Sequence, residues 1–243
     1  MRRRGRRRTR LAAADATDDE TGLVLTRLTV VTPEELGDAD EAARWLDGLA
    51  AEADSAEAFV AEAVRLINRA LRAHATAAQD PYVNEVSAVA AVATRVGYGN
   101  GDQVADGHWT DARELERGEP RRRRADSLQP QERVAAVLGE RDEIATCEPL
   151  LLRARLDLDQ CRAREAALQL DAGLRALLAE PTEGQGPRQR EDLETLRARR
   201  EEIAAAAREA ISAEPSADVV ARLESTLKLC ERALRRRRLG PTL

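Results

Sequence analysis

The residues best suited to chemistry lie in one glycine-rich segment, residues 94–111. It contains His108, one of the two histidines of the chain, together with Tyr98, Asp106 and Asp111. A histidine oriented by a carboxylate can act as a general base, so these side chains could form an acid–base cluster. The alternative is a surface histidine at the start of a strand. Because no serine or cysteine nucleophile accompanies the cluster, we assign no catalytic residue.

The glycines of this segment offer a second chemistry, the binding of phosphate by backbone N–H groups. Such loops precede a helix and follow a GxGxxG or GK[ST] pattern, which Gly97, Gly99 and Gly101 do not. Asn100-Gly101 instead predicts a type I′ hairpin turn, in which both residues have positive φ. A tight hairpin is therefore the favoured interpretation, and no cofactor is expected. The candidates for binding a ligand or a partner protein are Tyr98, Gly99, Asn100, Gly101, Asp102, His108 and Trp109.

Clustered arginines could bind a polyanion. Guanidinium groups bind phosphates bidentately, although the net charge of −5 is unusual for a dedicated nucleic-acid-binding protein. Solvated charge and an acidic protein partner are the alternatives, and cations at the end of a helix also suit its dipole. The clusters comprise Arg2–Arg8, then Arg121, Arg122, Arg123 and Arg124, and finally Arg235, Arg236, Arg237 and Arg238.

The three cysteines are too few and too scattered for a disulfide framework, and no CxxC pair predicts a zinc site. No metal is expected. Cys161 could be a reactive thiol beside Arg162, or a small residue at a turn that often carries glycine. No apolar run is long enough for a membrane span. The basic N-terminus continues into acidic residues, where a signal peptide would have an apolar stretch. These features predict a cytoplasmic protein with free thiols and no membrane contact.

The elements that must position these residues are mainly helical, because Ala, Leu, Arg and Glu dominate the composition. The predicted fold class is mainly α, with a small N-terminal α+β module over residues 23–116. The apolar spacing predicts that His74 belongs to the core. The predicted elements are a strand at 23–31, a short helix starting at Thr32, helices at 39–53, 56–78 and 81–93, and a β-meander at 94–115 with strands near 94–98, 103–105 and 108–115.

Charge and proline content predict the domain boundaries. Residues 1–22 are arginine-rich and then acidic, which is typical of a disordered arm. Residues 117–127 are interpreted as a charged linker, residues 128–238 as a C-terminal antiparallel helical bundle, and residues 239–243 as a tail. The predicted helices of the bundle are 130–138, 140–160 with a kink or restart at Pro149, 163–179, 188–212 and 217–237.

Residues 160–181, QCRAREAALQLDAGLRALLAEP, resemble the turn and second helix of a tetratricopeptide repeat. Cys161 occupies the position where that motif usually has glycine, Ala166 and Gly173 occupy its small packing positions, and Ala154 is a corresponding small residue on the first helix. The bulky aromatic positions are absent, and no second copy is visible. The resemblance implies a helical hairpin and favours a protein-interaction scaffold.

The functional hypothesis is a non-catalytic cytoplasmic protein-interaction or scaffold protein, with another protein as its partner. The arginine-rich, lysine-poor composition suggests a bacterial source with a GC-rich genome. The first alternative is a nucleic-acid-associated accessory factor that uses the arginine clusters. The second alternative is an enzyme with a small site at the glycine-rich meander.

Overall fold

The computed structural model describes residues 26–32, 35–115, 124–180 and 186–239. The chain divides into two compact units, residues 1–116 and 117–243. The predicted arm (1–22), Pro33 and Glu34 of the predicted short helix, and residues 117–123 of the predicted linker lie outside the described residues. So do residues 240–243 of the predicted tail.

The described residues are mainly helical and contain one small antiparallel sheet. None of the described helices is long and apolar enough to cross a membrane. The α-helices and strands are α1 (Ala39–Ala51), α2 (Ala53–Ala78), β1 (Arg95–Tyr98), β2 (Asp111–Glu114), α3 (Arg124–Leu138), α4 (Cys147–Asp159), α5 (Ala163–Ala179), α6 (Pro187–Ala210) and α7 (Ala217–Leu239).

Helix α1 begins at a reciprocal cap. The N–H of Glu41 donates to Oδ1 of Asp38 at 2.8 Å, and the N–H of Gly37 donates to Oε2 of Glu41 at 3.1 Å. The first bond satisfies a backbone donor that the first turn of a helix cannot pair internally, and the second ties the Glu41 side chain to the residue before the N-cap. Ala42 and Leu46 on the buried face of α1 are almost fully covered, and α1 contacts α2, β1 and β2. Helix α1 is therefore the centre of the first unit.

The predicted helix at 81–93 is wrong. Residues 83–87 have no regular secondary structure, and only Ala88–Ala90 form a short 3₁₀ turn. Asn68 of α2 is fully buried and forms two hydrogen bonds with the backbone of Val86, one to its carbonyl oxygen (3.0 Å) and one from its N–H (2.8 Å). These bonds hold the backbone extended, so the helical spacing of the valines is not realised.

Two predicted strands and one predicted core residue are also wrong. Residues 26–31 form no strand, and the sheet of the described residues contains only β1 and β2, with Arg95 opposite Glu114 and Tyr98 opposite Asp111. Residues 103–105 belong instead to a 3₁₀ turn (Asp102–Val104) and the residue after it, within a long connection between the strands. His74 is exposed, since the face of α2 that packs on its own unit carries Asn68.

In the second unit, helices α4 to α7 surround one apolar core. Each helix packs against the next in sequence, and α7 also contacts α4 and α5. The apolar stripe of α5 is buried, with Leu170 and Leu174 fully inaccessible. Cys147, Leu151, Leu196, Ile203, Leu223 and Leu227 complete the centre of the core.

Helix α3 begins at Arg124 and not at Pro130, so the last residues assigned to the linker are helical. Pro130 lies inside this helix, although the sequence placed it at the first helical position, where its missing N–H has no consequence. The predicted helix at 140–160 is wrong over residues 140–146, which are not helical. Helix α4 begins at Cys147, so Pro149 lies in the first turn, where proline is tolerated, and it neither kinks nor restarts a helix.

Candidate functional site

The glycines of the 94–111 segment bring two strands and a turn into close contact. A Cβ built on Gly97 would lie 2.5 Å from the carbonyl oxygen of Asp111 and 2.7 Å from the Cβ of Ala112. A Cβ on Gly99 would lie 2.8 Å from Cγ2 of the buried Val104. Side chains do not fit at these distances, so packing of the hairpin alone accounts for both glycines.

The predicted type I′ turn at Asn100-Gly101 is wrong. Gly101 has φ = +67°, but Asn100 is not among the residues with positive φ. The strands are joined by the whole of residues 99–110 and not by a two-residue turn. Within this connection the N–H groups of Gly107 and His108 donate to the carbonyls of Val104 (2.9 Å) and Gln103 (3.0 Å). The 3₁₀ turn thereby replaces the second strand of the predicted meander.

The structure places the predicted side chains around this connection but joins no acid–base pair. Asn100, Asp102 and His108 are exposed, whereas Tyr98 and Trp109 are partly buried. Within the described ranges, no hydrogen bond links the His108 side chain to a carboxylate or to Tyr98. The arrangement therefore gives His108 no orienting partner of the kind that general-base catalysis uses.

Asp111 has a structural contact instead. Its Oδ1 accepts from Nη1 of Arg113 at 2.7 Å, and Nη2 of Arg113 donates to Oδ1 of Asp47 on α1 at 3.1 Å. The pKa of Arg113 is raised, mainly by its hydrogen bond to Asp111 and next by its hydrogen bond to Asp47. This chain of contacts fastens β2 to α1 and fixes the position of the hairpin.

The arginines near the end of α7 form ion pairs within the second unit. Arg236 pairs with Asp192 of α6 and also donates to the carbonyl of Arg188 at 2.9 Å, and Arg237 pairs with Glu180. Arg235 is exposed. Arg124 starts α3, whereas Arg121, Arg122 and Arg123, like Arg2–Arg8, lie outside the described residues.

Asp192 of α6 is a buried carboxylate that the sequence did not identify. It is almost inaccessible, and Nη2 of Arg232 donates to its Oδ1 at 2.7 Å, while Arg236 contacts its other oxygen. A buried carboxylate is stable only when such partners replace its hydration. Arg232 and Arg236 therefore connect α7 to α6, which is a structural use of these cations.

The three thiols have two different environments. Cys161 is exposed and has φ = +56° at the turn between α4 and α5. This left-handed conformation agrees with a position that usually carries glycine. Cys147 and Cys230 are buried in the core of the second unit, and burial raises the pKa of Cys230 to about 12. The buried thiol of Cys230 is therefore unsuited to nucleophilic chemistry at neutral pH.

A shallow cleft of about 190 Å³ lies where α6 is followed by α7. Its lining is mostly small and apolar, with two carboxylates at the rim, and it is smaller than typical small-molecule sites. The sequence offered no motif for it. The lining residues are Ala206, Glu209, Ala213, Glu214, Pro215, Ser216 and Val219.

The exposed apolar side chains of residues 80–94, which we call the apolar segment, were missed because these residues were assigned to an amphipathic helix. Tyr82, Val89 and Val92 are 85%, 80% and 72% exposed. The ring of Tyr82 and the two valines are thus almost fully in water. They would contribute apolar area to a protein contact.

The part of the chain that the structure describes contains no group of three or more His, Cys, Asp or Glu side chains that could hold a metal ion. Comparison with known proteins gave no matching family model, no matching curated protein and no matching solved structure.

Proposed function

We propose that this chain is a non-catalytic cytoplasmic protein-interaction protein and that the apolar segment is part of its contact surface. The observation that carries the proposal is the exposure of Tyr82, Val89 and Val92 on one short stretch of chain. When a partner covers such side chains, apolar area is removed from water, and each Å² contributes about 25 cal/mol of favourable free energy. Binding of a partner with a complementary apolar surface is therefore favoured at this segment.

The apolar segment is held in place before a partner arrives. Asn68 fixes the backbone of Val86, and the N–H of Tyr82 donates to Oδ1 of Asp80 at 2.9 Å. The N–H of Val89 donates to the hydroxyl of Ser87 at 3.2 Å. A segment that is already ordered loses less conformational entropy on binding, which increases affinity for the same contact area.

The second unit fits the same function as a scaffold. We interpret α4 to α7 as an antiparallel helical bundle whose first hairpin is tetratricopeptide-like. The left-handed Cys161 and the buried Ala154 and Ala166 support this interpretation. So does Gly173, where a Cβ would lie 2.9 Å from Cδ2 of Leu151 and would push α5 away from α4.

Affinity capture with the full chain as bait tests the proposal. The test variant replaces Val89 and Val92 by serine, and the matched control replaces Leu138 and Ile144, which are also largely exposed, by serine. We expect the test variant to lose the captured proteins and the control to retain them, at low and at high salt. Equal capture by both variants would remove the apolar segment from the contact surface.

Capture of nucleic acid would point to the first alternative. Such material would be released by nuclease and by high salt, because binding to phosphates displaces counterions. Retention of the same partners after nuclease treatment would support the protein-interaction function.

A further inference from the structure

Helix α2 carries an apolar row that, apart from its first two residues, is separate from the face it packs on its own unit. The row follows the alternating spacing of three and four residues that brings one helix against another. We call it the α2 seam. It runs for three heptads and consists of Ala56, Phe59, Ala63, Leu66, Ala70, Ala73 and Ala77.

Most of this seam is exposed. Phe59 and Leu66 are 37% and 42% exposed, and the alanines at 70, 73 and 77 are also exposed. The ring of Trp45 contacts Phe59 edge-on at 5.8 Å, so α1 covers only one end of the seam. Asn68, by contrast, is fully buried on the opposite side of the helix, against the backbone of Val86. The seam beyond Phe59 is therefore available for another helix.

We propose that the α2 seam binds the same seam of a second copy of this chain, with the two helices antiparallel. In this arrangement Phe59 faces Ala70 of the second copy, and Leu66 faces Ala63 of the second copy. Each large side chain then meets a small one, which fills the interface evenly. A parallel pair would place phenylalanine against phenylalanine and alanine against alanine, leaving gaps at the alanine layers.

The charges of α2 support the same choice of partner. The acidic residues of α2 (Asp54, Glu57 and Glu62) all precede its arginines (Arg65, Arg69 and Arg72), so an antiparallel copy brings opposite charges together. Beside the seam, Glu62 lies opposite Arg69 of the second copy, and the two-fold axis repeats this pair. Glu62 also pairs with Arg65 of its own helix but remains 60% exposed. Such flanking charges determine partner and orientation.

This inference goes beyond the proposed function, since it concerns a different surface and a different partner. Sedimentation equilibrium of the full chain measures its self-association directly. We expect the wild-type chain to be a dimer at micromolar concentrations and Leu66→Glu to weaken dimerisation by about tenfold or more, because it places a charge in the apolar interface. Ala58→Glu adds the same charge at an exposed position outside the seam and is the matched control.

Charge exchange tests the orientation. Glu62→Arg and Arg69→Glu should each weaken self-association, and the double exchange should restore it. An equimolar mixture of the two single variants should form heterodimers, because each chain then faces only opposite charges. Circular dichroism checks that every variant keeps the helix content of the wild type.

A monomeric wild type at these concentrations would overturn the proposal, as would a dimer that is insensitive to Leu66→Glu. A dimer that neither the double exchange nor the mixture restores would overturn the antiparallel pairing. The Val89 and Val92 serine variant of the preceding experiment should dimerise normally, so loss of partner capture and loss of self-association remain distinguishable.

Discussion

Asn68 and Val86 are joined by a pair of hydrogen bonds in which a side-chain amide takes the place of a neighbouring strand. The amide of Asn68 donates to the carbonyl of Val86 and accepts from its N–H, at 3.0 and 2.8 Å. One buried side chain thereby satisfies both backbone groups of a residue that belongs to no strand. The position of the apolar segment depends on this contact.

Replacing Asn68 by alanine should therefore lower the free energy of unfolding of the first unit by about 1–3 kcal/mol, because the backbone groups of Val86 lose their partners. Both tryptophans, Trp45 and Trp109, belong to this unit, so their fluorescence in urea follows its unfolding. The exposed Asn84→Ala is the control and should change stability by less than about 0.5 kcal/mol. Equal effects of the two variants would show that the Asn68 contact does not stabilise the unit.

Leu170→Ala tests the core of the second unit. Leu170 is fully buried, and its truncation leaves a cavity that should cost about 2–5 kcal/mol, measured by circular dichroism in urea. Leu168, two residues earlier on the same helix, is 43% exposed, so Leu168→Ala should cost much less. Similar losses at both positions would mean that the buried face of α5 is misassigned.

Two glycines should respond in opposite directions to the same change. Gly97→Ala would place a Cβ 2.5 Å from a backbone carbonyl oxygen, so the strands must separate and the first unit loses stability. Gly48 lies within α1 and has no atom within 4 Å of such a Cβ, so Gly48→Ala should stabilise by about 0.5–1 kcal/mol. Thermal unfolding followed by tryptophan fluorescence distinguishes these outcomes. A stable Gly97→Ala variant would contradict the close approach of β1 and β2.

Because the thiol of Cys230 is buried, the stability of the second unit should depend on pH in the alkaline range. Burial raises its pKa from 9.0 to about 12, so between these values the unfolded chain releases the proton while the folded chain retains it. The contribution to stability is complete below pH 9 and is lost as the pH rises through this window. Unfolding free energies of wild type and Cys230→Ala, measured across the window in urea, should converge with rising pH. Parallel curves would show that Cys230 is not desolvated.

The sequence predicted the second unit more accurately than the first, for a physical reason. The stripe of α5 is determined by local spacing, and the predicted range 163–179 agrees with the helix Ala163–Ala179. The valines of 83–93 have the same kind of spacing, but the amide of Asn68 captures their backbone, and a contact between residues eighteen positions apart leaves no periodic pattern. Residues 26–31 of the predicted strand at 23–31 form no strand for a similar reason, since residue type does not supply a pairing edge.

The sequence indicated a segment of the chain for the candidate site, but not the geometry of its side chains. The glycines, His108 and Trp109 are close in sequence and lie on or beside one connection, between β1 and β2. Their geometry could not be predicted, because whether Asp111 faces His108 or Arg113 depends on the packing of β2 against α1. In the structure Asp111 contacts Arg113 of the same strand, and Arg113 connects β2 to Asp47 of α1.

The contact between α4 and α7 has a consequence for the order in which the second unit folds. Arg155 and Glu231 form a 2.8 Å ion pair across 76 positions of sequence, and α7 also contacts α5, whereas the other main contacts of this unit join helices that are neighbours along the chain. Closing so long a loop costs entropy that only the finished core repays, so the sequential hairpins assemble first and α7 closes onto α4 last. Pulse-labelling hydrogen exchange should show the amides of α4 and α5 protected before those of α7. Simultaneous protection would mean that the four helices condense in one step.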